Sequence, residues 1–280
     1  MRIVLLSVLA AGLATPAAAQ ITADGPVVYG HHHVNATDVA AHRRFWVDGL
    51  GGTPVKIGTP PTIEIVRFPN VLVFMAARAS GGGTKGTSVN HVGFETPDLR
   101  KAVDRLKAQG FAMVTRAEVP DTYEVKDDLG RRPGGNLIAF VMGPDDTKVE
   151  LIENKAITQP IVMHHIHFAT PDIAAMKAWY VKMFDARPGT RSGFEAADLP
   201  GVNLTFSGSP VPVAPTRGRA LDHIGFEVKD LEAFCRRLEA SGVKLDRPFT
   251  KVPALGISIA FFTDPWGTYI ELTEGLAASK

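Results

Sequence analysis

One short pattern occurs four times in the chain and limits its fold more than any other feature. A strand-like run carries a His; seven residues later comes an Asp, and an amphipathic stretch follows. The four copies start at His31 (His31-His32-His33-Val34-Asn35-Ala36-Thr37-Asp38), His91 (His91-Val92-Gly93-Phe94-Glu95-Thr96-Pro97-Asp98), His165 (His165-Ile166-His167-Phe168-Ala169-Thr170-Pro171-Asp172) and His223 (His223-Ile224-Gly225-Phe226-Glu227-Val228-Lys229-Asp230). Each Asp is placed to accept the free N–H groups of a helix start. Leu99, Val103 and Leu106 repeat as Leu231, Cys235 and Leu238, a one-face helical spacing. Gly110 and Gly242 follow at matching distances, as a left-handed helix end requires.

After each helix come β-rich runs: 62–67 and 71–76, 136–142 and 148–152, 194–197 and 202–206, and 257–263 and 268–273. The second and fourth copies align at Ile138-Ala139-Phe140 with Ile259-Ala260-Phe261, and at Val149-Glu150-Leu151 with Ile270-Glu271-Leu272. The first and third align at Phe68-Pro69-Asn70-Val71 with Leu199-Pro200-Gly201-Val202. The repeat is therefore a duplicated pair of modules, with halves at 26–155 and 160–280. The expected fold class is α+β: four βαβββ modules paired into two half-open eight-stranded barrels, each with a concave face suited to a small molecule.

Residues 1–19 read as a signal peptide. Arg2 gives a positive start, Ile3 to Ala14 an apolar core too short for a bilayer, and Ala17-Ala18-Ala19 a cleavage site. The expectation is a periplasmic or secreted protein beginning near Gln20. Without Arg2, the 30 Lys and Arg fall to 29, against 29 Asp and Glu. With no basic run, neither nucleic acid nor a membrane surface is an expected partner. The single cysteine, Cys235, lies on an apolar helical stripe and reads as buried and inert.

On these segments the chain resembles the vicinal oxygen chelate superfamily (glyoxalases, bleomycin-resistance proteins and extradiol dioxygenases). The resemblance implies metal ligands from the first and last strands of each module. Those positions are His31, His91, His165 and His223 on first strands, and Phe74, Glu150, Thr205 and Glu271 on last strands. Phe74 and Thr205 cannot replace a ligating Glu, so each half supplies two His and one Glu. Such a set leaves coordination positions open and suits Fe(II), with Mn or Zn compatible. It differs from the glyoxalase I branch, which takes a glutamate from both modules. It matches the extradiol branch in ligands, yet Phe261 and Ile259, with Phe140 and Ile138, stand where that branch has a Tyr and a His.

Modules can pair sequentially, joining His31 with His91 and Glu150, and His165 with His223 and Glu271. They can also cross-pair, joining His31 with His223 and Glu271, and His91 with Glu150 and His165. Sequential pairing is expected, because the connectors Ser80-Gly81-Gly82-Gly83 and Ser209 to Pro215 can span neighbouring modules. The principal site is expected at His165, His223 and Glu271, where Asp264-Pro265-Trp266-Gly267 forms a clean turn.

His33 and His167 share the strand face of the ligands and are candidate proton shuttles, whereas His32 and His164 should face away. Glu195 and Glu64 are candidate general bases, although a solvated strand-edge charge is the plainer reading. Trp46 and Trp179 should be core, and the polar loop Glu118 to Gly135 a surface excursion or a lid. The functional expectation is a metal-dependent enzyme, dioxygenase or lyase/isomerase, acting on a small oxygen-rich molecule. The rival is a sequestering protein of the bleomycin-resistance type. Either is compatible with a homodimer.

Overall fold

The computed structural model describes residues 25–56 and 63–278; the expected signal segment lies outside them. Module 1 comprises β1 (Val27–Ala36), α1 (Val39–Arg43) with a π-helical continuation (Arg44–Gly49), β2 (Thr53–Val55), β3 (Glu64–Phe68) and β4 (Val71–Ala77). Module 2 comprises β5 (Val89–Thr96), α2 (Leu99–Ala108), β6 (Ala112–Met113), α3 (Thr115–Glu118), β7 (Glu124–Lys126), β8 (Leu129–Arg131), β9 (Leu137–Met142) and β10 (Lys148–Glu153). Module 3 comprises β11 (Val162–Thr170), α4 (Ile173–Phe184), β12 (Arg187–Arg191), β13 (Phe194–Leu199) and β14 (Val202–Gly208). Module 4 comprises β15 (Leu221–Val228), α5 (Leu231–Ala240), β16 (Leu245–Val252), β17 (Ile257–Thr263) and β18 (Tyr269–Glu274).

The helix starts are as the repeat predicts. Asp38, Asp98, Asp172 and Asp230 each accept the N–H three residues on, from Ala41, Lys101, Ala175 and Ala233. Gly110 and Gly242 adopt φ of +83° and +89° just past α2 and α5, conformations that a side chain resists.

Two open mixed sheets result. One has eight strands in the order β16-β17-β18-β15-β1-β4-β3-β2. The other has ten: β12-β13-β14-β11-β5-β10-β9-β8-β7, with β6 on β9. The extra strands are the module 2 excursion, which folds as the β7–β8 hairpin rather than as loose surface loop. Neither sheet closes into a barrel.

Sequential pairing is corrected. The first sheet joins module 1 to module 4 through antiparallel β1 and β15; the second joins module 2 to module 3 through antiparallel β5 and β11. Residues 78–88 and 209–220 both cross between sheets, and they hydrogen-bond to each other. Gly81 donates to Gly218, Ala220 to Gly82, Ser88 to Ala214 and Ala214 to Gly86. The shorter joint, 154–161, stays within the second sheet. The boundary between 26–155 and 160–280 thus separates sequence repeats, while each sheet takes one module from each.

The helix-facing sides of both sheets share one apolar core. Trp46, fully buried, meets Phe68 of its own module and Phe94 of the other sheet. Phe184 at the end of α4 packs on Phe226 of β15 across the same seam. Trp179 is partly buried against this core and Cys235 lies within it, where burial pushes its thiol up to about 11. Among the described residues no helix is long and apolar enough to cross a membrane.

An isolated half would expose the β1 and β5 edges and half of this core, a strong drive to association. Fragments 25–155 and 160–280, made separately, should therefore not be folded monomers, and mixing them should restore cooperative unfolding. Sedimentation with thermal melts checks this. A fragment that is both monomeric and cooperatively folded would contradict the cross-pairing.

Candidate metal centre

Each central seam carries a bulge that aims a histidine. On β1 the register slips between Tyr29 and His31, and on β11 between Met163 and His165. Without the extra residue, Tyr29 and His31 would share a face. With it, Tyr29 and Met163 stay in the core, while His31 and His165 turn to the opposite face. There each ring lies over a glycine of the neighbouring strand, His31 on Gly225 and His165 on Gly93. A Cβ at either glycine would fall inside the ring's van der Waals surface. These glycines belong to the modules 2 and 4 motifs, and the rings above them to modules 3 and 1.

Two clusters follow: His31, His223 and Glu271 on one sheet, and His91, Glu150, His165 and His167 on the other. The expected set of His165, His223 and Glu271 is therefore corrected, since His165 lies in one cluster and the other two in the second. All six predicted ligands are used, in the cross-paired grouping.

In the first cluster, Glu271 Oε2 lies 2.9 Å from His31 Nε2 and 3.0 Å from His223 Nε2. Asp222 Oδ1 accepts from His223 Nδ1 at 2.7 Å. Burial pulls the His223 pKa down, but the bonds to Asp222 and Glu271 more than reverse this and hold it above its ordinary value. Burial pushes the Glu271 carboxyl up, and hydrogen bonds from His223 and His31 override it, leaving the pKa far below the carboxylate range. His31 Nδ1 is buried without a partner, so packing on Gly225 orients this ring. Aromatic groups crowd the centre. Phe74 stands 4.9 Å from the His31 ring, and Phe261 and Tyr269 stand 5.5 and 5.6 Å from His223. Beside it Leu276 seals Val28, Ile65 and Leu72.

In the second cluster, Glu150 Oε2 lies 3.0 Å from His91 Nε2 and 3.2 Å from His165 Nε2, and the two Nε2 atoms are 3.3 Å apart. Asn90 Oδ1 accepts from His91 Nδ1 at 2.9 Å, the place Asp222 fills in the other centre. Burial lowers His91 to about 4 despite the Glu150 bond, and the two histidines hold Glu150 well below its usual value against burial. Ligands on bonds of about 2.0–2.2 Å stand about 2.8–3.6 Å apart for angles between a right angle and the tetrahedral angle. The three donor separations fall in that range, and the backing groups leave the Nε2 lone pairs free. Two imidazoles and one carboxylate thus fit a first-row divalent ion.

The second cluster opens into a cavity of about 920 Å³. His167 lines it, with its ring 4.5 Å from His91 and Nε2 bonded to Ser207 Oγ at 3.0 Å. Burial, then the charges of His91 and His165, push its pKa well down, so it is neutral near pH 7. Thr205 also lines the cavity, where Phe74 sits in the other centre. His164 is the bulged residue. It lines the cavity and lies 2.9 Å from His165, Nδ1 to Nδ1, which corrects the expectation that it faces away. His32 does face away, fully buried in the core.

Glu195 is corrected too. It shares the helix-facing side of β13 with Ala197 and Leu199, and Lys177 of α4 holds it at 2.6 Å, away from His167. Glu64 likewise pairs with Arg43 at 3.6 Å. The residue of β13 that reaches the cavity is Phe194, 5.2 Å from His167.

Sequence reasoning missed several groups here. Asn90 and Asp222 each precede a ligand His, a signal that was available. Lys148, two residues before Glu150, is buried and pairs with Glu118 at 2.6 Å, and Glu118 also takes Lys85 at 2.9 Å. Arg132, from the segment after β8, reaches across to the Ser192 carbonyl, so the module 2 excursion helps wall the cavity.

The family model of the glyoxalase/bleomycin resistance protein/dioxygenase superfamily matches residues 28–151 and again 162–272. The chain belongs to that superfamily. Glyoxalase I from Zea mays is similar in structure, with TM-score 0.70 and 16% identity over 90% of this chain and 94% of that one. A putative dioxygenase from Bacillus subtilis has TM-score 0.62 and 12% identity over 88% and 84%. At these identities the likeness is one of fold. No curated protein sequence matches the chain.

Gly93→Ala should push the His165 ring off its seat and weaken metal binding at the second cluster at least about tenfold, the effect typical of losing a ligand's support. Gly225→Ala should do the same at the first cluster and spare the second. Metal titration of each variant checks this; unchanged affinity in both would contradict the role given to the glycines.

Proposed function

We propose that the protein is a divalent-metal-dependent enzyme whose working centre is His91, Glu150 and His165. The observation that supports this most is that these three donors converge at the wall of a cavity. Two His and one Glu leave room for a substrate bound through two oxygens. A metal held there would supply Lewis acidity to those oxygens, with Fe(II) favoured by the ligand set and Mn or Zn compatible.

The chain's own residues define the rest of the site. Glu150 brings the one anionic donor and His91 and His165 the neutral ones. Asn90 fixes the His91 tautomer. His167, neutral and bonded to Ser207, is placed to take a proton from a bound substrate and return it. Phe140 and Phe194 give the walls their apolar surface. The reaction belongs to the oxygen-insertion or lyase/isomerase chemistry of small oxygen-rich molecules, carried out in the periplasm or outside the cell if residues 1–19 act as a leader.

Relaxation of solvent water protons around Mn(II)-loaded protein reads open coordination positions. The wild type should show strong enhancement per bound Mn(II), Glu150→Ala should lose most of it, and Glu271→Ala should keep it. Enhancement lost in Glu271→Ala and kept in Glu150→Ala would move the working centre to the first cluster. Protein that binds no metal at either centre would instead favour a sequestering protein.

A further inference from the structure

The charges lining the cavity do not balance. Lys85, Arg132, Lys148 and Arg191 face it, against Glu118 and Glu150. Glu118 is shared by the two lysines at 2.9 and 2.6 Å, so it offsets only one of them. Glu150 is committed to the ligand cluster, where a dication would more than cancel it. Arg191 has Asp198 behind it, with Nη2 at 2.9 and 3.0 Å from the two carboxylate oxygens, yet its Nε is buried and unpartnered. Arg132 has no carboxylate partner among the described residues; its guanidinium donates to the Ser192 carbonyl.

A semi-enclosed space with excess positive charge concentrates anions. Guanidinium groups favour oxyanions, with which they form charge-assisted and often paired hydrogen bonds. Ser192 follows Arg191 and its carbonyl takes the Arg132 bond, so the Arg132 side chain spans to the wall on which Arg191 stands. The two lysines sit elsewhere on the wall, their charge partly met by Glu118.

We infer that the substrate is itself an anion: a small molecule that chelates the metal through vicinal oxygens at one end and presents a carboxylate or other oxyanion to Arg132 and Arg191 at the other. This rests on the metal-centre reading above and adds the substrate's charge. Arg132 and Arg191 are then specificity residues, distinct from the ligand set. They also explain the long module 2 excursion, whose cation completes the oxyanion site while its backbone walls the cavity.

Hydroxamates provide the test, because each chelates through two vicinal oxygens. The probes are acetohydroxamate, which is neutral, and the monohydroxamates of succinic, glutaric and suberic acids, which add a carboxylate at increasing reach. Dissociation constants would be measured by calorimetry on Zn(II)-loaded protein, with Glu271→Ala as background so that only the second cluster responds. At least one carboxylated probe should bind about tenfold or more tighter than acetohydroxamate. Arg132→Gln and Arg191→Gln should each remove most of that gain while leaving acetohydroxamate unchanged, and added NaCl should shrink it. Equal affinity for neutral and carboxylated probes, or a gain that survives both substitutions, overturns the inference. Failure of acetohydroxamate itself to bind the metal-loaded protein would instead strike the metal-centre reading.

Discussion

Two antiparallel seams, β1 with β15 and β5 with β11, set where every reactive group lies. Each seam joins the first strands of two modules from different halves of the chain. Each slips register twice, and the first slip turns a histidine from the core side to the open side. The partner strand must then supply a glycine beneath the ring, and Gly225 and Gly93 do so. Slip either seam by one residue and a neighbour, Gly30 or His32 in one and His164 or Ile166 in the other, would take the ligand position, because side chains alternate faces along a strand. The last strands β18 and β10 run parallel to β15 and β5, with Glu271 beside Gly225 and Glu150 beside Gly93. Ring, glycine and carboxylate are therefore stacked in one register.

The two centres share this frame and differ in what surrounds it. Both have a phenylalanine and a second histidine beside the ligand histidine, Phe261 and His33 in one, Phe140 and His167 in the other. Phe74, Tyr269 and Asp222 of the first are replaced by Thr205, Lys148 and Asn90 in the second. A carboxylate behind an imidazole makes it a more basic donor than an amide does. The first centre thus has the more basic donor set, and the second stands at the wall of the cavity.

Much of this was legible in the amino-acid order. The Asp caps, the Gly helix ends and the six ligand positions follow from local rules, and each side chain is where its spacing puts it. Pairing was not legible in the same way, because four modules with one grammar offer two complete sets of ligands. Two signals still pointed to the observed choice. The joint at 154–161 is shorter than the connectors at 78–88 and 209–220, which suits neighbours within one sheet. The Gly of His-x-Gly-Phe occurs only in modules 2 and 4, so each needs a partner with a ring to seat, and modules 1 and 3 have it. The bulges and the wall of cations were beyond local reading. A polar loop that lines a cavity has the same composition as one that faces water, and a buried lysine beside a ligand differs from a solvated one only in its surroundings.

The central claim is that the ligands act in cross-paired sets, and paired deletions separate it from the sequential alternative. Metal per chain would be measured by elemental analysis after anaerobic Fe(II) reconstitution, in two double variants. His165→Ala with Glu150→Ala should damage one centre twice and retain the metal of the other. His165→Ala with Glu271→Ala should damage both centres and retain almost none. The reverse result, with metal kept in the His165/Glu271 double variant and lost in the His165/Glu150 one, would contradict the account.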